Sequence, residues 1–239
     1  MNKPIIGITL DYEENKNYSK YPWYALRKNY SDSVIKAGGL PVFIPQEINL
    51  IDKYIDLIDG LLITGGNFDI DPKIYGEKIK TDKITLKTDR TNFELKITET
   101  AIKNKIAILG ICGGQQLLNV VYGGTLIQHI PNELDTNINH EQKNPRDEPS
   151  HEVNIIKNTK LHRIIRANKM FVNSAHHQSV KKLGSGLKIN ATANDKVIEG
   201  IEAADLNFCI GIQWHPEFLI DKNDIVIFDE FIKNAKIKK

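Results

Sequence analysis

Residues 106–122, IAILGICGGQQLLNVVY, constrain the fold more than any other stretch. A six-residue run, apolar throughout, meets Gly110, Cys112, Gly113 and Gly114, and a helical pattern begins at Gln115. A strand that is apolar on both faces and turns at once into a helix belongs to a parallel sheet covered by helices. The rest of the first half repeats the unit. Strands are predicted at 5–10, 40–45 and 60–64, and helices at 26–37, 50–57 and 91–103, the first closed by Gly38-Gly39. The predicted class is α/β, with a mostly parallel central sheet covered by helices.

The second half reads differently. Short strands are predicted at 153–156, 170–172, 187–192, 197–203 and 208–213, and a closing helix at 225–235. The polar, proline-containing stretch 132–152 is predicted to be a long loop, either a lid or an insertion. With no internal repeat and no low-complexity linker, residues 1–239 are expected to form one domain.

Composition removes several function classes. The formal net charge is only +2, against the strong basic excess of a nucleic-acid binder. No apolar stretch approaches about 18 residues, so no membrane span is expected. The N-terminal apolar run meets Asp11, Glu13 and Glu14 without a small-residue cleavage site, so it reads as a strand rather than a signal peptide. Two cysteines, Cys112 and Cys209, cannot build a disulfide framework, and the expected location is the reducing cytoplasm.

Three turns carry the chemistry. Gly110-Ile111-Cys112-Gly113-Gly114 is the thiol counterpart of the G-x-S-x-G nucleophile turn. The glycines permit a sharp strand-to-helix turn, and the helix N-terminus directs partial positive charge at the sulfur. Such settings, with a nearby histidine, bring a thiol pKa from about 8.5 to roughly 3.5–7.5. Trp214-His215-Pro216-Glu217 follows the predicted strand 208–213. There His215 is placed to accept the thiol proton, and Glu217 to bond the other ring nitrogen and fix the tautomer. Thr64-Gly65-Gly66-Asn67 ends another strand and offers backbone N–H groups as oxyanion donors, together with that of Gly113.

Taken in order, GICGGQQLLNVVYGG, NSAHHQS and GIQWHPE resemble the class I glutamine amidotransferases. Within them the chain is most similar to the gamma-glutamyl-gamma-aminobutyrate hydrolase-like branch, peptidase family C26. The branch-specific stretches are GGNFDIDPKIYGE (65–77), DRTNFE (89–94) and NSAHHQ (173–178). The resemblance implies a Rossmann-like, flavodoxin-like three-layer sandwich, with Cys112 as nucleophile, His215 as base and Glu217 as its partner. It implies Gly66 and Gly113 at the oxyanion positions, Gln116 beside the bound gamma-glutamyl group, and His176 and Gln178 lining the substrate pocket. Relatives usually carry arginine after the nucleophile, where this chain has Gly113. The implied reaction is hydrolysis of a small gamma-glutamyl amide through a gamma-glutamyl thioester. The alternatives are a glutaminase subunit feeding ammonia to a partner synthase, and a catalytically silent binding protein. A homodimer is expected by analogy alone.

No metal or organic cofactor is expected. His140-Glu141 and His151-Glu152 lack the second histidine of H-E-x-x-H, Asp69 and Asp71 read as turn residues before Pro72, and no phosphate-binding glycine motif occurs. The aromatics Tyr12, Tyr18, Tyr21, Trp23 and Tyr24 either cap a pocket mouth or pack on one another. Cys209 is expected to be a core thiol, and Lys236, Lys238 and Lys239 a solvated tail.

Overall fold

The computed structural model describes residues 3–14 and 18–235; the C-terminal lysines lie outside them. The strands are β1 (Ile5–Thr9), β2 (Asp11–Glu13), β3 (Trp23–Ala25), β4 (Leu40–Ile44), β5 (Gly60–Ile63), β6 (Ala107–Ile111), β7 (Thr125–Ile127), β8 (His151–Ile155), β9 (Lys169–Val172), β10 (Ser179–Lys182), β11 (Leu187–Ala193), β12 (Ile198–Ala203) and β13 (Cys209–Ile212). The helices are α1 (Lys28–Lys36), α2 (Ile51–Leu57), α3 (Thr88–Lys103), α4 (Gly113–Val121), α5 (Ile130–Glu133), α6 (Lys160–Ile165) and α7 (Lys222–Asn234).

The main sheet runs β4-β1-β5-β6-β13-β12-β11-β8-β9. Its first five strands are parallel, and every pairing from β13 onward is antiparallel. A side ribbon of β7 and β10 joins at β12. The parallel half needs helices on both faces, and its side chains alternate accordingly. Leu62, Leu109, Ile111, Ile210 and Ile212 point to the layer of α1 and α7, with Val34, Phe228 and Phe231. Leu61, Ile63 and Ile108 point to the layer of α2, α3 and α4, with Ile55, Phe93, Ile97 and Leu117. Each such side chain stabilises the fold by about 1.5–3 kcal/mol on full burial.

Several bounds depart from the sequence reading for identifiable reasons. α3 starts three residues early, at Thr88, through a polar first turn without apolar periodicity. α7 starts at Lys222 because Asp221 and Asp224 form a reciprocal capping box. The strands β2, β3, β7 and β10 and the helices α5 and α6 have no counterpart in the sequence reading; each is six residues or shorter. Among the described residues, no helix is long and apolar enough to cross a membrane.

Candidate active site

Three adjacent parallel strands end at one edge of the sheet. Ile63 of β5 pairs with Gly110 of β6, and Ile111 of β6 with Ile212 of β13. The turn at 64–67, Cys112 and His215 therefore leave the sheet side by side, where ligands of open α/β sheets bind.

Cys112 has φ 53° and ψ −106°, a conformation side-chain-bearing residues rarely adopt. Its N–H donates to the Ile212 carbonyl at 2.7 Å, which ties the turn to the neighbouring strand. The flanking glycines are steric requirements. A Cβ on Gly110 would lie 2.6 Å from the Gly114 carbonyl oxygen, and one on Gly114 would strike the Ile63 carbonyl. Gly113 is different: a Cβ there would find only ordinary contacts, the nearest at 3.7 Å. The position after Cys112 therefore has room for a side chain. As the first residue of α4, Gly113 also has an N–H without an intrahelical acceptor.

The turn at Gly65-Gly66 is held from behind by Arg90. This guanidinium, 1% exposed, donates from Nη2 to the Thr64 carbonyl (3.0 Å), Thr64 Oγ1 (3.1 Å) and the Gly65 carbonyl (3.1 Å), and from Nε to Glu94 (3.0 Å). Its Nη1 lies 3.0 Å from Asp11 Oδ1, and its plane lies over the Phe68 ring at 4.2 Å. A buried charge is tolerable only when paired: Nε and Nη2 are hydrogen-bonded, and Nη1 is ion-paired with Asp11 without a hydrogen bond. Gly66 has no space for a side chain: a Cβ would meet Arg90 Nη1 and sit 2.8 Å from Phe68 Cδ1.

His215 Nδ1 donates to Glu217 Oε1 at 2.7 Å, which leaves Nε2 as the ring nitrogen free of the carboxylate. Burial alone would lower the imidazole pKa; the Glu217 carboxylate and Cys112 outweigh it and hold it up, at about 10. Asn173 grips the backbone of the same histidine. Its Oδ1 accepts from His215 N–H (2.9 Å) and its Nδ2 donates to the His215 carbonyl (3.1 Å). Tyr30 Oη accepts from Gly65 N–H at 3.2 Å, and its phenol is raised well above its ordinary pKa by burial, Glu217 and Cys112. A carbon placed on Gly65 would lie 3.1 Å from Cys112 Cβ and 3.3 Å from His215 Cε1. The thiol, the imidazole and this turn thus crowd around one point.

All eight residues singled out by the sequence are buried or near the same place, but not all face it alike. Gly66, Cys112, Gly113, Gln116, His176, Gln178 and His215 line one cavity of about 360 Å³, and Glu217 sits behind His215. Gln116 spends its amide nitrogen on the Gln178 carbonyl (3.1 Å) and Gln213 Oε1 (3.2 Å). His176 donates from Nδ1 to the Gln178 carbonyl (2.9 Å) and turns its other nitrogen away, toward Glu199 (3.7 Å). Gln178 Nε2 donates to the Gln128 carbonyl at 3.3 Å. Next to His176, His177 pairs with Asp69 at 3.0 Å, which raises its pKa.

The sequence reading missed four residues that shape the site. Arg90 and Asn173 lie in the stretches DRTNFE and NSAHHQ, without a role given to them. Arg27 and Arg146 line the cavity beside Cys112. Neither guanidinium has an ion-pair partner among the described residues, and burial together with Arg27 lowers the pKa of Arg146. Arg146 comes from the 132–152 stretch, which is pinned over the site. Ser174 N–H donates to Gln142 Oε1 (2.6 Å), Ser174 Oγ to the His140 carbonyl (2.7 Å), and Asn173 Nδ2 to the Arg146 carbonyl (2.8 Å). None of the five aromatics lines the cavity at Cys112, and they divide between the two expected roles. Tyr18 packs edge-on against Trp23 at 5.6 Å, and Tyr18, Trp23 and Tyr24 wall a second cavity that reaches Gly65, Gly66 and Arg27.

The family model described as Peptidase C26 matches residues 4–217. A glutamine amidotransferase-like protein of Rickettsia prowazekii is 40% identical over 98% of this chain and 98% of its own. The gamma-glutamyl-gamma-aminobutyrate hydrolase of Escherichia coli K12 is 28% identical over 97% of this chain and 93% of its own. Among solved structures, a glutamine amidotransferase of Thermotoga maritima superposes with a TM-score of 0.58 at 16% identity, covering 91% of this chain and 77% of that one. A GMP synthase component from Thermoplasma acidophilum superposes with a TM-score of 0.65 at 17% identity, covering 98% and 95%. Those two likenesses extend to the fold: a mostly parallel central sheet between helices.

Proposed function

The chain belongs to the peptidase C26 family, and on that premise we propose that it hydrolyses gamma-glutamyl amides with Cys112 as nucleophile. One observation carries the reading. A cysteine in strained backbone at a strand-to-helix turn shares a cavity with a carboxylate-bound histidine and a glycine turn that a buried arginine fixes.

In this mechanism Cys112 Sγ attacks the gamma-carbonyl carbon. The developing oxyanion is received by the N–H groups of Gly66 and Gly113. His215 Nε2–H protonates the departing amine, the C–N bond breaks, and a gamma-glutamyl thioester remains on Cys112. His215 then takes a proton from water as the water oxygen attacks the thioester, the C–S bond breaks, and glutamate leaves with Cys112 restored as a thiolate beside the imidazolium. Glu217 stabilises the imidazolium and fixes its tautomer throughout. Arg27 and Arg146, without carboxylate partners, favour a substrate that brings carboxylates of its own, and the aromatic cavity beside Gly66 extends the space for the departing amine. This supports an amide between glutamate and an amino acid, as in the name of the Escherichia coli relative.

The test is a panel of gamma-glutamyl amides whose amines do or do not carry a carboxylate. Wild type releases glutamate, with the acyl-enzyme trapped on Cys112 by mass spectrometry, and Cys112→Ala loses roughly 10⁴-fold or more in kcat. Arg146→Ala raises KM about tenfold, some 1.4 kcal/mol, for the carboxylated amines alone. Equal turnover by wild type and Cys112→Ala overturns the reading.

A further inference from the structure

The antiparallel half of the sheet gathers a second set of reactive side chains that the chemistry at Cys112 does not use. His140 comes from the long loop, His151 opens β8, His176 follows β9, and Glu199 lies on β12. All four are buried, Glu199 completely. Glu199 Oε1 lies 3.2 Å from His140 Nδ1, 3.2 Å from His151 Nε2 and 3.7 Å from His176 Nε2.

The outer nitrogens decide what faces inward. His140 Nε2 donates to Asp195 Oδ2 at 2.9 Å, and His176 Nδ1 donates to the Gln178 carbonyl at 2.9 Å. With those protons placed, a neutral His140 and a neutral His176 turn bare lone pairs, Nδ1 and Nε2, toward a carboxylate that also offers only lone pairs, while His151 Nε2 is hydrogen-bonded to Glu199 Oε1. Those two nitrogens and Glu199 Oε2 have no hydrogen-bond partner. Acceptors converging in a buried site repel one another unless positive charge lies between them. A metal ion supplies that charge without adding protons. Ligand bonds of about 2.0–2.1 Å to a tetrahedral zinc ion place neighbouring donor atoms roughly 3.3 Å apart; His140, His151 and Glu199 each offer a donor atom within 4.8 Å of the others, and His176 Nε2 stands next to that group, 3.7 Å from Glu199 Oε1. Asp195 behind His140 and a carbonyl behind His176 are the outer partners that orient metal-binding imidazoles.

We propose that His140, His151, His176 and Glu199 form a closed structural site for a divalent transition-metal ion of the zinc class. Three imidazoles and one carboxylate suit zinc, and four protein ligands leave no open position for catalysis. The ion joins the long loop, β8, the segment after β9 and β12, four parts of the chain that meet beside the cavity. Spacing could not reveal it, because the ligands lie on separate segments rather than in one short motif.

Elemental analysis tests this on protein purified without chelators or metal columns. About one zinc-class ion per chain is expected in wild type and in Cys112→Ala, which removes the thiol as a competing ligand; Glu199→Gln and His151→Ala lose it. Should either variant fail to fold, the wild type decides alone. Chelation lowers its Tm by several degrees, zinc restores it, and cobalt substitution gives the visible bands of a four-coordinate site. Absence of metal with neither cobalt bands nor a zinc-dependent Tm overturns the proposal. So does imidazole nitrogen NMR showing His140 or His176 doubly protonated in the purified protein, which would make the cluster a charged hydrogen-bond network.

Discussion

The parallel and antiparallel halves of the sheet build the same cavity by different means. β5, β6 and β13 deliver groups through backbone geometry: strand register fixes the level, and glycines permit the turns. The antiparallel half and its loops deliver side chains held by buried hydrogen bonds, as Asn173 holds His215 and Ser174 holds the 132–152 stretch. The first arrangement is intolerant of added atoms. The second is intolerant of lost partners, because each unpaired buried polar group costs about 1–3 kcal/mol.

The largest effect that separates the two halves belongs to the glycines. Gly66→Ala forces Arg90 and Phe68 apart, so kcat is expected to fall by roughly 100-fold, as for loss of an oxyanion donor, with about 1–3 kcal/mol of overpacking in urea unfolding. Gly113→Ala, with room for its methyl group, keeps wild-type kcat and stability. Equal damage from both would break the distinction between a steric and a merely flexible glycine. On the other side, Asn173→Ala removes both bonds to the His215 backbone while adding no bulk. Steady-state kinetics should give a kcat roughly 10–100-fold lower with KM little changed, and a stability loss of about 1–3 kcal/mol. Unchanged kcat would mean that β13 alone places His215.

A further contrast lies in pH dependence. His215 is raised from its ordinary 6.5 to about 10. Its contribution to stability is therefore complete below about 6.5 and is lost as pH climbs through 10. Thermal unfolding of the wild type should show Tm falling across that window. Glu217→Gln removes the carboxylate that holds the ring charged, and its Tm should vary less over the same range. Parallel profiles for the two proteins would show that the carboxylate contributes no pH-dependent stability.

The same contrast explains what could be read from sequence. β1, β5 and β6 were legible to within one residue because apolar runs closed by turn residues are local signals. The three turns were legible for the same reason. The remainder depends on contacts between distant residues. Asn173 reaches His215 across 42 positions and Arg90 reaches Thr64 across 26, and neither leaves a periodic trace. The short strand β10, half buried and half exposed, offers too few residues for alternation to show. His140 and His151 looked like unrelated fragments of an incomplete motif, since nothing nearby in sequence points to Glu199.

The amide of Asn173 has a wider consequence. One nitrogen serves both the Arg146 carbonyl above the cavity and the His215 carbonyl beneath it. The Oδ1 of the same side chain accepts from His215 N–H, so the 132–152 stretch and the backbone of His215 share one fastening. A substitution that moves Asn173 therefore reaches the loop and the histidine together.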